Sequence, residues 1–344
     1  MPDSVATQRR ILIPVELAKL PPPLAGGQLE SLQGITMGTT WMARFFHTAA
    51  LPSARIREGL QGCLDLVVQQ MSTWLEDSDL VRFNRADANT WHVLPMEFFT
   101  VLEQALALAR ATDGAYDPAC AALVDLWGFG PASRRASAPS AAEVQEARLH
   151  GDWRQLRLEP AHLRALQPGG LQIDLSSIAK GYAVDLLAQW LQAHGIHHFL
   201  VEVGGELRGH GFKHDGQPWW VGLEQPLARD GQALTDLAPT MIALHGLAVA
   251  TSGDYRRYFE DAGQRYSHTI DPRRGTPITH DLASVSVLHP QCMLADGLAT
   301  ALMVLGLEQG MQLARRMRLP ALFVTREGQG VREHLSPAMQ DMLS

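Results

Sequence analysis

The 344-residue chain contains only three cysteines, and no two of them stand close together. Cys63, Cys120 and Cys292 form no CxxC pair and lack the Cys/His spacing of a zinc site. Free cysteines are among the most buried residues of proteins, so we expect three small apolar side chains in the core. This scarcity argues against a disulfide-dense scaffold and against a cysteine-ligated metal site.

Long apolar runs are also missing. Ile11-Leu12-Ile13 follows Arg9 and Arg10, but Pro14 and Glu16 interrupt the run well short of a signal peptide. No other stretch is read as a membrane-spanning segment. The sequence as it stands therefore predicts no integral membrane segment and a cytoplasmic location; a leader removed ahead of Met1 would instead point to the periplasm.

The chain has no excess of positive charge. It carries 29 Lys and Arg residues against 36 Asp and Glu residues, a formal charge of −7, so no global field would attract nucleic acid. Apolar residues make up 46% and charged residues 19%, as in a folded soluble enzyme. The length suggests one long or two tightly joined folded units.

The N-terminal segment differs in composition from the rest of the chain. Residues 1–30 include Pro21-Pro22-Pro23 and Gly26-Gly27, which resist regular structure and predict a flexible arm. The folded domain is then expected to comprise residues 31–344.

Helical and strand patterns alternate through that domain. Apolar residues at helical spacing predict helices at 60–74, 98–110, 179–193 and 295–305, the last closed by Gly306. Short apolar runs predict strands at 171–173, 199–203 and 283–288, and a hairpin that turns at Asp261-Ala262-Gly263. The mixture indicates an α/β or α+β fold with its chemistry on the connecting loops.

The segment Asp174–Asp185 passes through small polar residues into a predicted helix. A helix N-terminus offers unpaired N–H groups and a partial positive charge, and Lys180 adds a full charge, so a diphosphate is a suitable ligand. Asp174 is placed to bind a ribose or a flavin donor. In the structural alternative, Ser176 or Ser177 is an ordinary helix N-cap and Lys180 is solvated.

Asp296 and Thr300 are four residues apart and therefore lie on one face of a predicted helix. Both are hard oxygen ligands, which suit Mg²⁺ better than zinc when substrate phosphates complete the metal shell. The alternative is a helix start at which Asp296 faces the positive end of the helix dipole.

His268 is predicted at a strand end, after the hairpin and before a Pro/Gly-rich loop. A histidine of near-neutral pKa is a natural proton acceptor when a hydroxyl must become a nucleophile toward phosphorus. The alternative is that His268, one of 14 histidines in the chain, has a purely structural role.

Taken in order, these segments resemble the ApbE family of FAD:protein FMN transferases, from about Thr36 to the C-terminal helix. The matching pieces are Met37-Gly38-Thr39, Met71–Trp74 with Ser78–Asn84, Gly114–Gly130, Asp174–Asp185, Gly204-Gly205-Glu206, Thr251–Pro277 and Ala295–Thr300.

The resemblance implies an α+β, ApbE-like fold in which two closely packed α/β subdomains hold FAD in a cleft between them. Its flavin-binding positions correspond here to Met37, Trp74, Ala115, Tyr116, Asp117, Asp174, Lys180 and Ile270. Its magnesium positions correspond to Ser177, Asp296 and Thr300, and His268 is expected to act as the catalytic base.

The implied reaction is Mg²⁺-dependent transfer of FMN from the substrate FAD to a Thr or Ser hydroxyl of a target protein, with release of AMP. The resemblance also implies the kind of target, commonly a subunit of a membrane redox complex. Two alternatives remain open at this point: an Mg²⁺-dependent FAD pyrophosphatase that gives free FMN and AMP, and a non-catalytic FAD-binding protein.

Overall fold

A computed structural model of the chain describes residues 10–15, 27–48, 51–132, 135, 137–225, 240–255, 257–328 and 330–343. The strands of these residues are β1 (Ile11–Leu12), β2 (Gln28–Thr36), β3 (Thr39–His47), β4 (Thr90–Val93), β5 (Arg157–Glu159), β6 (Arg164–Gln167), β7 (Phe199–Val203), β8 (Glu206–His210), β9 (Trp219–Gly222), β10 (Met241–Leu244), β11 (Leu247–Gly253), β12 (Tyr258–Asp261), β13 (Gln264–Ser267), β14 (Ile270–Asp271), β15 (Thr276–Pro277), β16 (Leu282–His289), β17 (Ala321–Glu327) and β18 (Gly330–Leu335). The α-helices are α1 (Ser53–Met71), α2 (Asp79–Asn84), α3 (Met96–Ala111), α4 (Ala121–Leu126), α5 (Ala141–Arg148), α6 (Ala179–Ala193), α7 (Cys292–Met317) and α8 (Pro337–Gln340).

An eight-stranded antiparallel sheet forms the centre of the molecule, in the order β18-β17-β16-β11-β8-β7-β3-β2. Successive side chains of a strand point to opposite faces, and both faces are covered here. In β11, Ala248 and Ala250 join the core beneath helices α1, α3, α6 and α7, whereas Val249 joins the core beneath the smaller sheet β1-β10-β9. This confirms the predicted α+β class.

Several sequence predictions are confirmed within one or two residues. The helix at 179–193, the strand at 199–203 and the hairpin that turns at Ala262-Gly263 all appear, the last as β12–β13. The predicted strand at 171–173 is wrong. The backbone of Ile173 is instead hydrogen-bonded to the Asn84 side chain, which accepts from the Ile173 N–H and donates to the Ile173 carbonyl, both at 2.9 Å.

Helix α7 extends past the predicted end at Gly306. The backbone there is non-helical (φ 75°, ψ −178°), but helical structure resumes and continues to Met317, so Gly306 interrupts the helix rather than closing it. By length and apolar composition α7 is the one helix of the described residues that would be able to cross a membrane. However, 67% of its most apolar window is buried, as in the central helix of a folded domain.

Part of the predicted N-terminal arm is structured. Ile11–Leu12 pairs in parallel with Met241–Ile242, Leu12 is fully buried, and β2 begins at Gln28, before the expected domain boundary. The strand forms because an apolar pair can complete the edge of the small sheet. Residues 1–9 and 16–26, including the proline run, lie outside the described residues.

Candidate functional site

One cavity brings together segments that are distant in the sequence. It lies at the N-terminal end of α6, against α7 and beside the residues that flank the hairpin β12–β13. The predicted site residues that line it are Trp74, Ala115, Tyr116, Asp117, Asp174, Ser177, Lys180, His268, Ile270, Asp296 and Thr300.

Met37 is the predicted residue that does not line the cavity. It occupies the two-residue turn between β2 and β3 with Gly38, and both have positive φ angles of 48° and 69°. Such a turn matches the twist of the flanking strands, and the Met37 side chain packs against the main core. Its assignment to flavin binding stays a prediction.

The start of helix α6 is not capped by a serine side chain. The N-cap residue is Ile178, no side-chain cap hydrogen bond is present, and the Ser177 hydroxyl donates to the Tyr116 hydroxyl at 3.3 Å. Asp174 instead accepts from Ser176 N–H at 2.7 Å and turns the chain into the helix. The N-cap alternative is therefore wrong, and the small polar residues face the cavity.

Lys180 in the first turn of α6 is held by a carboxylate that sequence analysis did not assign to the site. Its Nζ lies 2.5 Å from Glu206 Oε1, and the Glu206 side chain is only 2% exposed. Glu206 follows the sharp turn at Gly204 and Gly205, which have φ angles of 62° and 102° and join β7 to β8. The Gly-Gly-Glu signal was visible in the sequence, but its partner Lys180 is not evident from spacing.

Asp296 is buried in the second turn of α7, and its carboxylate lines the cavity. It accepts the Gly181 N–H from helix α6 at 3.0 Å. A Cβ at residue 181 would lie 2.4 Å from the Cys292 carbonyl and 2.8 Å from Asp296 Cβ, so only glycine permits this approach. Asp296 lies near the start of α7 and accepts an N–H from the first turn of α6, so the alternative of a carboxylate at the positive end of a helix stays open.

Thr300 lies one turn further along α7 and also lines the cavity. Its hydroxyl is 3.2 Å from the Ser252 hydroxyl at the end of β11. Asp296, Thr300 and Ser252 thus offer only oxygen ligands, the set that Mg²⁺ prefers. In the described residues no group of three or more His, Cys, Asp or Glu side chains is placed to share a metal ion. A cation here would therefore depend on oxygen atoms of a substrate to complete its shell.

The loop between α3 and α4 forms a further part of the cavity wall. Burial raises the pKa of the Tyr116 hydroxyl well above its usual value, so the phenol stays neutral. Burial also raises the pKa of Asp117 from 3.8 to about 6, although N–H donors from Ala119 and Trp153 oppose the shift. Cys120 lines the same wall and is only half-buried, which differs from the expected core position.

His268 stands at the rim of the cavity, where β13 ends. Its Nδ1 is 3.1 Å from the Arg257 carbonyl. Because a carbonyl only accepts, Nδ1 carries the proton in the neutral ring and Nε2 is the basic nitrogen. The Phe129 ring packs edge-on against the imidazole at a centroid distance of 6.3 Å. The geometry gives His268 the tautomer that a proton acceptor needs.

Aromatic rings support the hairpin that ends at His268. Phe259 stacks on Tyr266 at 5.1 Å, and Tyr266 packs against Trp127 at 5.4 Å. The buried Trp127 indole donates to the Gly275 carbonyl at 2.9 Å. Trp127 is thus a core residue, whereas Phe129 faces the cavity.

The cavity therefore gathers a lysine at a helix N-terminus, a buried aspartate with neighbouring hydroxyls, and a histidine. A family model described as the ApbE family matches residues 37–323. The chain belongs to this family.

Named relatives span nearly the whole chain. The FAD:protein FMN transferase of Vibrio cholerae is 39% identical over 314 residues, which cover 91% of this chain and 92% of that protein. The solved Pseudomonas stutzeri flavinyl transferase ApbE, in its apo form, is 38% identical with a TM-score of 0.84, covering 92% of this chain and 97% of that one. The solved Vibrio cholerae flavin transferase ApbE has the same TM-score at 37% identity, covering 92% of this chain and all of that one.

Proposed function

We propose that this chain transfers FMN from FAD to a threonine or serine hydroxyl of a target protein, in an Mg²⁺-dependent reaction that forms a phosphoester and releases AMP. The observation that carries the proposal is the meeting of Lys180, Asp296 and His268 around one cavity in a member of the ApbE family.

The charge of the cavity wall supports a role for a divalent cation. Asp117, Asp174, Glu206 and Asp296 contribute carboxyl groups to the lining, against the cationic side chains of Lys180 and Arg257. An FAD diphosphate would add further negative charge, and like charges in a partly desolvated site repel strongly. A bound cation offsets this repulsion.

The oxygen ligands of the site fit Mg²⁺. Asp296 and Thr300 would hold it, with Ser177 as the third family position. When bound, Mg²⁺ supplies charge neutralisation at the diphosphate. Lys180, fixed by Glu206, adds a positive charge from the first turn of α6.

His268 would accept the proton of the target hydroxyl at Nε2. The hydroxyl oxygen then bonds to the FMN-side phosphorus while the bond from that phosphorus to the AMP phosphate oxygen breaks. AMP departs with that oxygen and its electron pair. Only positioning and charge stabilisation are needed, without a covalent enzyme intermediate.

The His268 assignment is tested by replacing it with alanine. We expect the rate of FMN transfer to fall about 10²- to 10⁴-fold, with FAD affinity nearly unchanged, because proton transfer is lost and ligand contacts are kept. His162→Ala, at an exposed histidine beside Glu159, is the matched control and should retain the parent rate. If the His268→Ala variant transfers FMN at the parent rate, His268 is not the catalytic base.

FAD hydrolysis is the competing reaction, since the same groups would activate a water that enters beside His268. Incubation with FAD, Mg²⁺ and acceptor protein separates the two by product: FMN bound to protein supports transfer, and free FMN alone supports a pyrophosphatase. Release of no AMP under any condition would support a non-catalytic FAD-binding protein.

The target as a subunit of a redox complex and a cytoplasmic location are further parts of the proposal. Mass spectrometry of flavinylated proteins would identify the target. Cell fractionation would test the location.

A further inference from the structure

Helix α7, which carries Asp296 and Thr300, does not cap its own N-terminus. The side chain of its N-cap residue Gln291 makes no cap hydrogen bond, and its first turn contains no acidic residue. The first N–H groups of a helix have no partner within that helix. Because Cys292 and Met293 are buried at this end of α7, another group of the protein has to accept their N–H groups.

Asp185 of helix α6 is that group. Its Oδ1 accepts the Cys292 N–H at 3.0 Å, and its Oδ2 accepts the Met293 N–H at 2.9 Å. Arg208 of β8 also donates to Oδ1, and the side chains of Asp185 and Arg208 are only 6% and 18% exposed. One buried carboxylate thus joins the start of α7 to helix α6 and to the central sheet, and it faces both a cation and the positive end of a helix.

A second contact between the same two helices carries the carboxylate of the cavity. Gly181 and Asp185 are four residues apart and lie on one face of α6. Cys292 at the start of α7 meets Asp185. Four residues further along α7, Asp296 accepts the Gly181 N–H at 3.0 Å. The two contacts are therefore one helical turn apart on each helix, and together they fix the position of Asp296 relative to α6.

We propose that Asp185 is a positioning residue for the cation, which holds Asp296 at the cavity wall by fixing the first turn of α7. The inference rests on the proposed function, in which Asp296 and Thr300 bind Mg²⁺. Asp185 does not line the cavity, so it acts on the cation through α7 and not by contact. Mg²⁺ demands near-ideal octahedral geometry, and a small shift of α7 would therefore weaken its binding.

Asp185→Asn tests this role. The amide keeps the size of the side chain, but it has one accepting oxygen for the two N–H groups of α7 and no charge to face Arg208. Calorimetric titration of Mg²⁺ into the full chain, loaded with FAD and without acceptor protein, measures cation binding independently of transfer. We expect the dissociation constant for Mg²⁺ to rise about tenfold. The rate of FMN transfer should recover toward the parent rate when Mg²⁺ is raised to saturation.

Ser336→Ala is the matched control for a loss of stability alone. Ser336 is fully buried, caps α8, accepts the Ala321 N–H at 2.9 Å and does not line the cavity. Its replacement also removes a buried helix cap, so unfolding should become easier while the dissociation constant for Mg²⁺ stays at the parent value.

The outcomes separate the positioning role from the proposed function. If Mg²⁺ binds Asp185→Asn as tightly as the parent, or if Ser336→Ala weakens it equally, Asp185 has only a structural role and the proposed function stands. Should Asp185→Asn fail to fold, Arg208→Gln keeps both N–H bonds of Asp185 and removes its cation; it should raise the same constant less, and an unchanged constant would overturn the inference. Absence of Mg²⁺ binding by the FAD-loaded parent would contradict the Mg²⁺-dependent function and the inference with it.

Discussion

At the scale of single residues, Gly181 sets how closely the two helices of the site approach each other. Its N–H donates to Asp296, and the space for a side chain is occupied by the Cys292 carbonyl and by Asp296 itself. Gly181 therefore orients the Asp296 carboxylate, which we assign to the metal, and it can do so because it has no Cβ. Neither partner indicates the other in the sequence, where they are 115 residues apart.

Gly181→Ala is expected to destabilise the protein by about 1–3 kcal/mol, because backbone atoms must shift to admit the methyl group. Gly62→Ala is the control: residue 62 is an exposed helical position of α1 with open space around it, and alanine should stabilise it by about 0.5–1 kcal/mol. Urea unfolding of both variants measures the difference. Equal effects of the two substitutions would mean that the close approach at residue 181 is not required.

Asp117 gives a pH dependence with a defined sign. Burial raises its pKa from 3.8 to about 6, so between these values the folded protein binds a proton that the unfolded chain has released. Stability therefore decreases as pH rises through this window, and the cost of the buried charge is fully present above about pH 6.

Asp117→Asn should remove that cost and stabilise the FAD-free protein at pH 8 by about 1–2 kcal/mol, with little effect at pH 4. The amide oxygen still accepts from Ala119 N–H, so the loop geometry is kept. Thermal unfolding across this pH range measures the difference. A variant that shifts stability equally at both pH values would contradict the raised pKa.

At the scale of elements, the turn between β14 and β15 is held by a hydrogen bond from the Trp127 indole to the Gly275 carbonyl, 148 residues away in the sequence. That bond joins the segment after α4 to the loop that follows Ile270 and Pro272 of the cavity lining. The turn follows the segment that carries His268 and Ile270 of the cavity lining.

Trp127→Phe should cost about 1–3 kcal/mol, because the ring is retained but a buried carbonyl loses its donor. Trp220→Phe removes an indole donor to the Gln217 side chain at a partly exposed position and should change stability by less than about 0.5 kcal/mol. Melting temperatures of the two variants compare the bonds directly. If both substitutions cost the same, the junction is not supported by its hydrogen bond.

Elements with strong local signals were predictable from the sequence, and those defined by distant partners were not. Helix α6 and strand β7 follow from periodicity and flanking glycines. The segment 171–173 has the composition of a strand, but the Asn84 side chain binds both backbone groups of Ile173 and the Gln167 side chain binds those of Leu171. In the same way, every predicted site residue except Met37 lines the cavity. The sequence shows Glu206 after its two glycines but not its bond to Lys180, and it does not show the Arg257 carbonyl that binds His268.

At the scale of the whole molecule, the central sheet is covered on both faces, and the cavity lies on the helical side. Strand β11 brings Ser252 to Thr300 of α7, while β7 and β8 bring Glu206 to Lys180 of α6. The fold thus supplies a rigid frame for the groups that we assign to the diphosphate, the cation and the catalytic base.

The central claim is transfer of FMN to protein, and covalent flavin on a denaturing gel tests it most directly. Purified chain is incubated with FAD, Mg²⁺ and the proteins of cells that lack it, and flavin fluorescence is recorded after electrophoresis. We predict a fluorescent band that disappears with a chelator and in the Asp296→Ala variant. Release of FMN and AMP into solution without any fluorescent band would contradict the account.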